Sequence, residues 1–189
     1  IAKEEGIIAG LDVFKRTFEI LAESYKTDLD FEVYFEDGDR VKNKDLLMVV
    51  RSSAQVILSA ERTALNILQR MSGIATYANK MVEALGDDRI RVVDTRKTSP
   101  GLRILEKYAV RIGGAHNHRF NLSDCAMLKD NHIEAAGGVK EAIEMAKASV
   151  PFTSKIEVET EDLDMVKEAI DAGAVIIMLD NMVMDMTQK

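Results

Sequence analysis

The sequence predicts an α/β protein: a small α+β unit at residues 1–58, then a β/α-barrel segment at residues 59–189. Three observations carry that prediction. From Asp88 onward, apolar runs alternate with helix-period segments, the pattern of parallel βα units. Arg96 and Lys97, then Lys129, Glu159 and Asp180, each fall at or just after the C-terminal end of an expected strand, where a β/α barrel keeps its active site. The stretch Lys155-Ile156-Glu157-Val158-Glu159 alternates charged with apolar residues, which suits a barrel mouth better than a strand covered on both faces. No glycine-rich dinucleotide fingerprint follows any strand. The strands after Ile90 are too few to close a barrel, so the expectation is an incomplete one: either the chain is truncated at its C-terminus and lacks the last βα units, or a partner chain fills the gap.

Within the first unit, Gly6-Ile7-Ile8-Ala9-Gly10 reads as a short strand. Val13 to Tyr25 places Val13, Phe14, Phe18 and Leu21 at helical spacing. Leu29 to Phe35 alternates as a strand and ends at an Asp37-Gly38-Asp39 turn, and Leu46–Val50 and Ala54–Leu58 are further strand candidates. Ser59 to Leu85 is the strongest helix, with Ser59 as N-cap and Gly86 as the stop. This places Glu61 and Arg62 in the first turn, where a cation opposes the helix dipole and an anion would relieve it.

The second unit begins with a strand at Ile90–Asp94. Ser99 as N-cap and Pro100 at the first helical position then open a helix closed by Gly113-Gly114. Ala126–Leu128, Lys155–Glu159 and Val175–Leu179 read as strands, and Val139–Ala148 and Glu161–Ala172 as helices.

Charge narrows the function. The net charge is −7, which argues against a general nucleic-acid binder. Yet Arg89 to Arg119 holds eight Lys/Arg against two acids, a basic island in an acidic chain. Any single cation there reads as solvated surface; the cluster reads as a cleft for a small anion. The Asp94-Thr95-Arg96-Lys97-Thr98-Ser99-Pro100-Gly101 stretch concentrates the question. Adjacent cations at the end of a buried strand need a partner, and the simplest one is a ligand. Arg103, Lys107 and Arg111 read equally well as part of that cluster or as a solvated helix face. No apolar run is long enough for a membrane helix, no secretory signal is visible, and the lone Cys125 fits a reducing, cytoplasmic setting.

The chemistry-bearing groups are Arg62, Arg96, Lys97, His118, Arg119 and Lys129 on the positive side, with Glu159 and Asp180 on the negative. Arginine clusters suit carboxylates and phosphates. Two carboxylates at neighbouring strand ends suit Mg²⁺, which takes one or two acids and leaves room for phosphate. Lys129 can alternatively pair with Glu157 or Glu159, Asp180 can cap a helix, and His118 and His132 can be structural. Three His and one Cys give no zinc pattern, and no Gly-x-Ser-x-Gly motif is present.

Several motifs in register then resemble one family. They are Glu61-Arg62-Thr63-Ala64-Leu65-Asn66, Met71-Ser72-Gly73-Ile74-Ala75-Thr76, the Asp94–Gly101 stretch and Lys107-Tyr108-Ala109-Val110. Gly113-Gly114-Ala115-His116-Asn117-His118-Arg119, Leu128-Lys129-Asp130-Asn131-His132, Glu157-Val158-Glu159 and Leu179-Asp180-Asn181 follow. Together they resemble the quinolinate phosphoribosyltransferase family. The resemblance implies an N-terminal α/β sandwich joined to an open β/α barrel. It implies transfer of a phosphoribosyl group from phosphoribosyl pyrophosphate to quinolinate with decarboxylation, giving nicotinate mononucleotide for NAD synthesis, with Mg²⁺ as cofactor. It also implies a homodimer with shared sites, a higher oligomer being open. By resemblance, Arg62 is lent across the dimer to quinolinate. Arg96, His118 and Arg119 take its carboxylates, with Thr95 in the same stretch. Lys97 and Lys129 lie near the carboxylates and the donor, and Glu159 and Asp180 hold ribose hydroxyls and Mg²⁺.

Two departures stand out. Ala115 and Asn121 occupy positions where the family usually has glycine. The Gly/Ser segments expected after Asp180 to grip the donor phosphate are absent from this sequence, so the resemblance implies a longer protein. The alternatives are a paralogue of the molybdenum-transport type, against which the Asn-His-Arg and Lys-Asp-Asn-His segments argue, and a non-catalytic dimerisation or anion-binding module.

Overall fold

The computed structural model describes residues 1–182. Two compact units part between His118 and Arg119. Among the described residues, no helix is long and apolar enough to cross a membrane.

In the first unit, β1 (Gly6–Ile7) precedes α1 (Leu11–Tyr25), followed by β2 (Leu29–Val33), β3 (Arg40–Val41) and β4 (Met48–Ser52). β1 pairs antiparallel with β3, and β2 with β4. Beyond lies α2 (Ala54–Leu85), a helix of 32 residues. Its start corrects two expectations. Ala54–Leu58 is helical, and the N-cap is Ser53, whose side chain accepts from the Val56 N–H at 3.4 Å. The run can be helical because Val56, Ala60, Ala64 and Leu68 recur every four residues and form a buried stripe. Small alanines in that stripe admit Phe14 and Phe18 of α1 into one core with Leu47 and Val41. The division expected after residue 58 therefore falls inside a continuous helix. Arg62 lies beyond the first turn, so the argument from the helix dipole does not apply to it.

The signature residues of α2 have a structural use. Thr76 Oγ1 accepts from the Ile7 N–H at 2.9 Å, and Ser72 Oγ accepts from the Ala9 N–H at 3.1 Å. Side chains one helical turn apart thus satisfy the backbone of a chain segment that lies along the helix.

Residues 90–94 form no ladder. Val93 makes a single parallel bridge to His116, with the His116 N–H donating to Val92 O at 2.9 Å and the Asp94 N–H to His116 O at 3.1 Å. Ile90 and Val93 are exposed, so the expected buried strand is corrected to an extended segment with one partner. The next helix also starts later than expected. Gly101 adopts φ +77°, which an α-helix cannot use, and the Leu102 N–H donates to Ser99 O at 3.1 Å. Ser99-Pro100-Gly101-Leu102 is therefore a Pro-Gly turn, and α3 (Arg103–Ile112) follows it. At its far end Gly113 permits close approach to α2: a Cβ there would sit 2.3 Å from the Ala75 carbonyl oxygen.

The second unit alternates β5 (Ala126–Leu128), α4 (Asp130–Ala136), α5 (Val139–Ser149), β6 (Ile156–Thr160), α6 (Leu163–Asp171) and β7 (Ile176–Leu179). The order β5-β6-β7 is parallel throughout. It is an α/β fold with an open sheet, and no closed barrel is present among the described residues. Leu128, Ile156 and Val158 pack on Val139, Ala142, Ile143 and Ala169, burying one face of the sheet under α5 and α6. Strand alternation puts Met127, Lys129, Glu157, Glu159, Met178 and Asp180 on the other face. The helix α4 was not anticipated. It is short, and its Asp130-Asn131-His132 start reads as loop in the sequence.

Candidate functional site

The sequence-predicted residues divide between the units. The first holds Arg62, Thr95, Arg96, Lys97 and His118; the second holds Arg119, Lys129, Glu159 and Asp180.

In the first unit the cations sit on a loop that is held by side chains. Thr95 Oγ1 accepts from the Lys97 N–H at 3.1 Å, and Arg96 O accepts from the Thr98 N–H at 2.9 Å. From α3, Arg103 donates to Arg96 O at 3.3 Å and to Thr98 Oγ1 at 3.2 Å. One turn on, the Glu106 carboxylate accepts from the Ser99 N–H at 3.2 Å and from Arg70 Nε at 2.8 Å, while Arg70 Nη2 donates to Ser99 Oγ at 2.6 Å. Burial alone would raise the Glu106 pKa. The Arg70 guanidinium and the Ser99 groups outweigh it and hold the carboxyl below its ordinary value. Next to it, Lys107 and Asp94 form a buried ion pair at 2.5 Å.

Two cations of this loop remain unspent among the described residues. Arg96 Nε is buried and has no hydrogen-bond partner among the described residues. Lys97 is exposed and has no ion pair among them. A loop with every backbone turn braced and its cations unmatched can take an anion without paying to order itself. Arg62, on α2, is exposed and likewise without an ion pair among the described residues.

In the second unit the candidate residues stand at the strand ends. Lys129 ion-pairs with Glu159 across β5 and β6. Asp180 follows β7, its N–H donating to Thr160 O at 2.9 Å, and its carboxylate accepts from Asn181 Nδ2 at 3.1 Å. Lys129, Glu159 and Asp180 thus share one sheet face at three adjacent C-terminal strand ends. Arg119 donates to Cys125 O at 3.4 Å and to Met127 Sδ at 2.8 Å, which holds it at the start of β5. Burial and the Glu157 carboxylate raise the Cys125 thiol above its ordinary pKa, which leaves it a poor nucleophile. No group of three or more metal-ligating side chains occurs among the described residues.

Supporting residues are what sequence reading missed. Arg103, Glu106 and Lys107 face the loop rather than solvent; of the charged residues on that helix only Arg111 is exposed. A spacing of three and four residues with mixed charge was the available signal. His132 was also open: its Nδ1 accepts from the Lys129 N–H at 3.0 Å and fixes the backbone where the Lys129 side chain departs. The two glycine departures are harmless to the backbone. Neither Ala115 nor Asn121 has positive φ, and Asn121 Oδ1 accepts from the Ser123 N–H at 2.7 Å in a local turn.

Residues 1–72 match the model of the quinolinate phosphoribosyl transferase N-terminal domain, and residues 74–189 that of the C-terminal domain. A Bacillus subtilis relative named probable nicotinate-nucleotide pyrophosphorylase [carboxylating] is 46% identical over 96% of this chain and 61% of its own length. The Mycobacterium leprae nicotinate-nucleotide pyrophosphorylase [carboxylating] is 40% identical over 100% of this chain and 65% of its own. Among solved structures, NadC from Streptococcus pyogenes superposes with a TM-score of 0.91 at 53% identity, covering 97% of this chain and 64% of that one. The chain spans about three-fifths of the length of the curated relatives it matches. Matched along both domains, it belongs to the quinolinate phosphoribosyl transferase family.

Proposed function

We propose that the protein transfers a phosphoribosyl group from phosphoribosyl pyrophosphate to quinolinate and releases pyrophosphate and CO₂, giving nicotinate mononucleotide. The observation that carries this reading is the braced loop with buried, unmatched Arg96 Nε and free Lys97, a receptor for carboxylate. In this proposal Arg96, His118 and Arg119 take the ring carboxylates, assisted by Thr95 and Lys97. Lys129 and Glu159 take the phosphoribosyl donor at the ribose, and Asp180 stands beside them. The ring nitrogen displaces pyrophosphate at an oxocarbenium-like carbon, so the residues act by orientation and charge. No covalent nucleophile is needed, which fits the raised Cys125 thiol.

Mg²⁺ is the proposed cofactor. Two carboxylates, Glu159 and Asp180, on one face at neighbouring strand ends fit an ion that takes one or two acids and completes its shell with water and phosphate. When bound, it would neutralise charge on the departing pyrophosphate. The working unit is proposed to be a homodimer, to which Arg62 is lent from one subunit to the other's site, and its place the cytoplasm.

Calorimetric titration of quinolinate into the full natural protein tests the reading, and absence of binding sinks it. The shared site has its own test. Arg62→Ala and Arg96→Ala proteins are each inactive, and mixing them restores part of the activity; no recovery argues against sharing.

A further inference from the structure

Lys107 is the one buried cation among the described residues. Its side chain is 3% exposed, and it donates to Asp94 Oδ1 at 2.5 Å and to His118 O at 3.3 Å. The same Asp94 carboxylate accepts from the His118 N–H at 2.8 Å and from Asn117 Nδ2 at 2.7 Å. Asn117 Nδ2 closes the circuit by donating to Lys107 O at 2.9 Å. One ion pair therefore holds both backbone polar groups of His118. On its other side Asp94 lies two residues before Arg96, whose carbonyl is held by Arg103, one turn before Lys107 on α3. Lys107 is shut off from solvent, and the Asp94 carboxylate has its oxygens committed to Lys107, His118 and Asn117. A buried ion pair is weak evidence for stability. What this one does is geometric: it ties the backbone of His118 to the extended segment that leads into Arg96.

We propose that the Asp94–Lys107 pair is the positioning device of the carboxylate clamp. It sets the separation of Arg96 and His118, and so controls recognition of an aromatic 1,2-dicarboxylate without touching it. The identity of that ligand rests on the proposed function above.

The test uses the full natural protein. Lys107→Met raises the quinolinate KM about 100-fold, the scale of a small misplacement of binding groups, while the KM for phosphoribosyl pyrophosphate stays within about twofold. Lys107→Arg recovers most of the loss. If the single variant does not fold, Asp94→Val combined with Lys107→Met leaves no buried charge unpaired and shows the same split. Amide hydrogen exchange at His118 is the ligand-free readout: it accelerates in these variants while the β6 amides keep their rates. Equal losses for both substrates overturn the proposal, as does an unchanged quinolinate KM with an unchanged His118 amide. A wild-type protein that binds no quinolinate overturns the functional reading instead, and the His118 exchange rates then decide the positioning role alone.

Discussion

The loop at residues 94–99 and the β5-β6-β7 sheet both present charged groups, but they are built on different supports. In the sheet, Lys129, Glu159 and Asp180 are placed by a parallel ladder, and the helix-facing apolar side chains anchor that ladder from behind. The loop has one bridge, Val93 to His116. Its shape comes from Arg70, Arg103 and Glu106, which bond its backbone and hydroxyls, and from Lys107, which pairs with the Asp94 carboxylate. A ladder tolerates loss of one side chain because its backbone bonds persist. A loop held by side chains does not. The lesson is that the loop's order depends on charge and hence on pH, whereas the sheet's order depends on apolar burial.

Four predictions press on that difference. The largest effect belongs to Glu106→Ala, which strips Arg70 and the Ser99 N–H of their acceptor. It should cost about 2 kcal/mol, half-exposed Arg70 keeping it to that scale. Denaturant unfolding gives the loss, and hydrogen exchange should show the 95–99 amides opening while β6 stays protected. Opening of β6 to the same degree would erase the contrast. The same carboxyl sets an acid dependence. Its folded pKa lies below its unfolded value, so its contribution is present above the ordinary Glu range and is lost as pH falls through the lowered folded value. The variant should lack that part of the acid slope.

Next comes Tyr108→Phe, at about 1.5 kcal/mol. Tyr108 Oη donates at 2.8 Å to Asp37, whose carboxylate also receives the Gly10 and Leu11 N–H groups at the start of α1. Burial first, then Asp37, pushes the phenol up to about 12. A raised pKa means the contribution is whole below the unfolded value and fades as pH climbs through the folded one. Stability should therefore fall between about pH 10 and 12 in the natural protein and not by this route in the variant. Alkaline melting curves measure it.

On the sheet side, Thr160→Val should cost about 1 kcal/mol. It removes a bond from Thr160 Oγ1 to Met178 O at 3.2 Å at a fully buried position but leaves the ladder intact. Loop amides should be unaffected. A loop response would show that the two supports are not independent. The smallest effect is expected for Arg111→Gln, within about 0.5 kcal/mol and with unchanged activity, because this cation of α3 faces solvent.

Sequence alone determined the alternation of strand and helix from Ala126 onward, the apolar stripe of α2, and which residues carry the candidate chemistry. These are local properties: periodicity of burial decides helix or strand, and a polar residue at a strand's C-terminal end advertises itself. The family was legible for the same reason, because its motifs lie in register along the chain. Tertiary structure decided what depends on partners far apart in sequence. Residues 90–94 had the composition of a buried strand but have only one bridging neighbour, so no ladder forms. Ala54–Leu58 had strand-like residues, but burial of Val56, Ala60 and Ala64 against α1 makes it the first turn of a helix. Lys107 and Arg111 sit one turn apart on α3 and look alike in the sequence. Asp94, thirteen residues before Lys107, makes one of them a buried anchor and leaves the other in solvent. The adjacent cations that mark the stretch from Asp94 to Gly101 were visible at once; that the Arg96 carbonyl is held by Arg103 of the following helix was not.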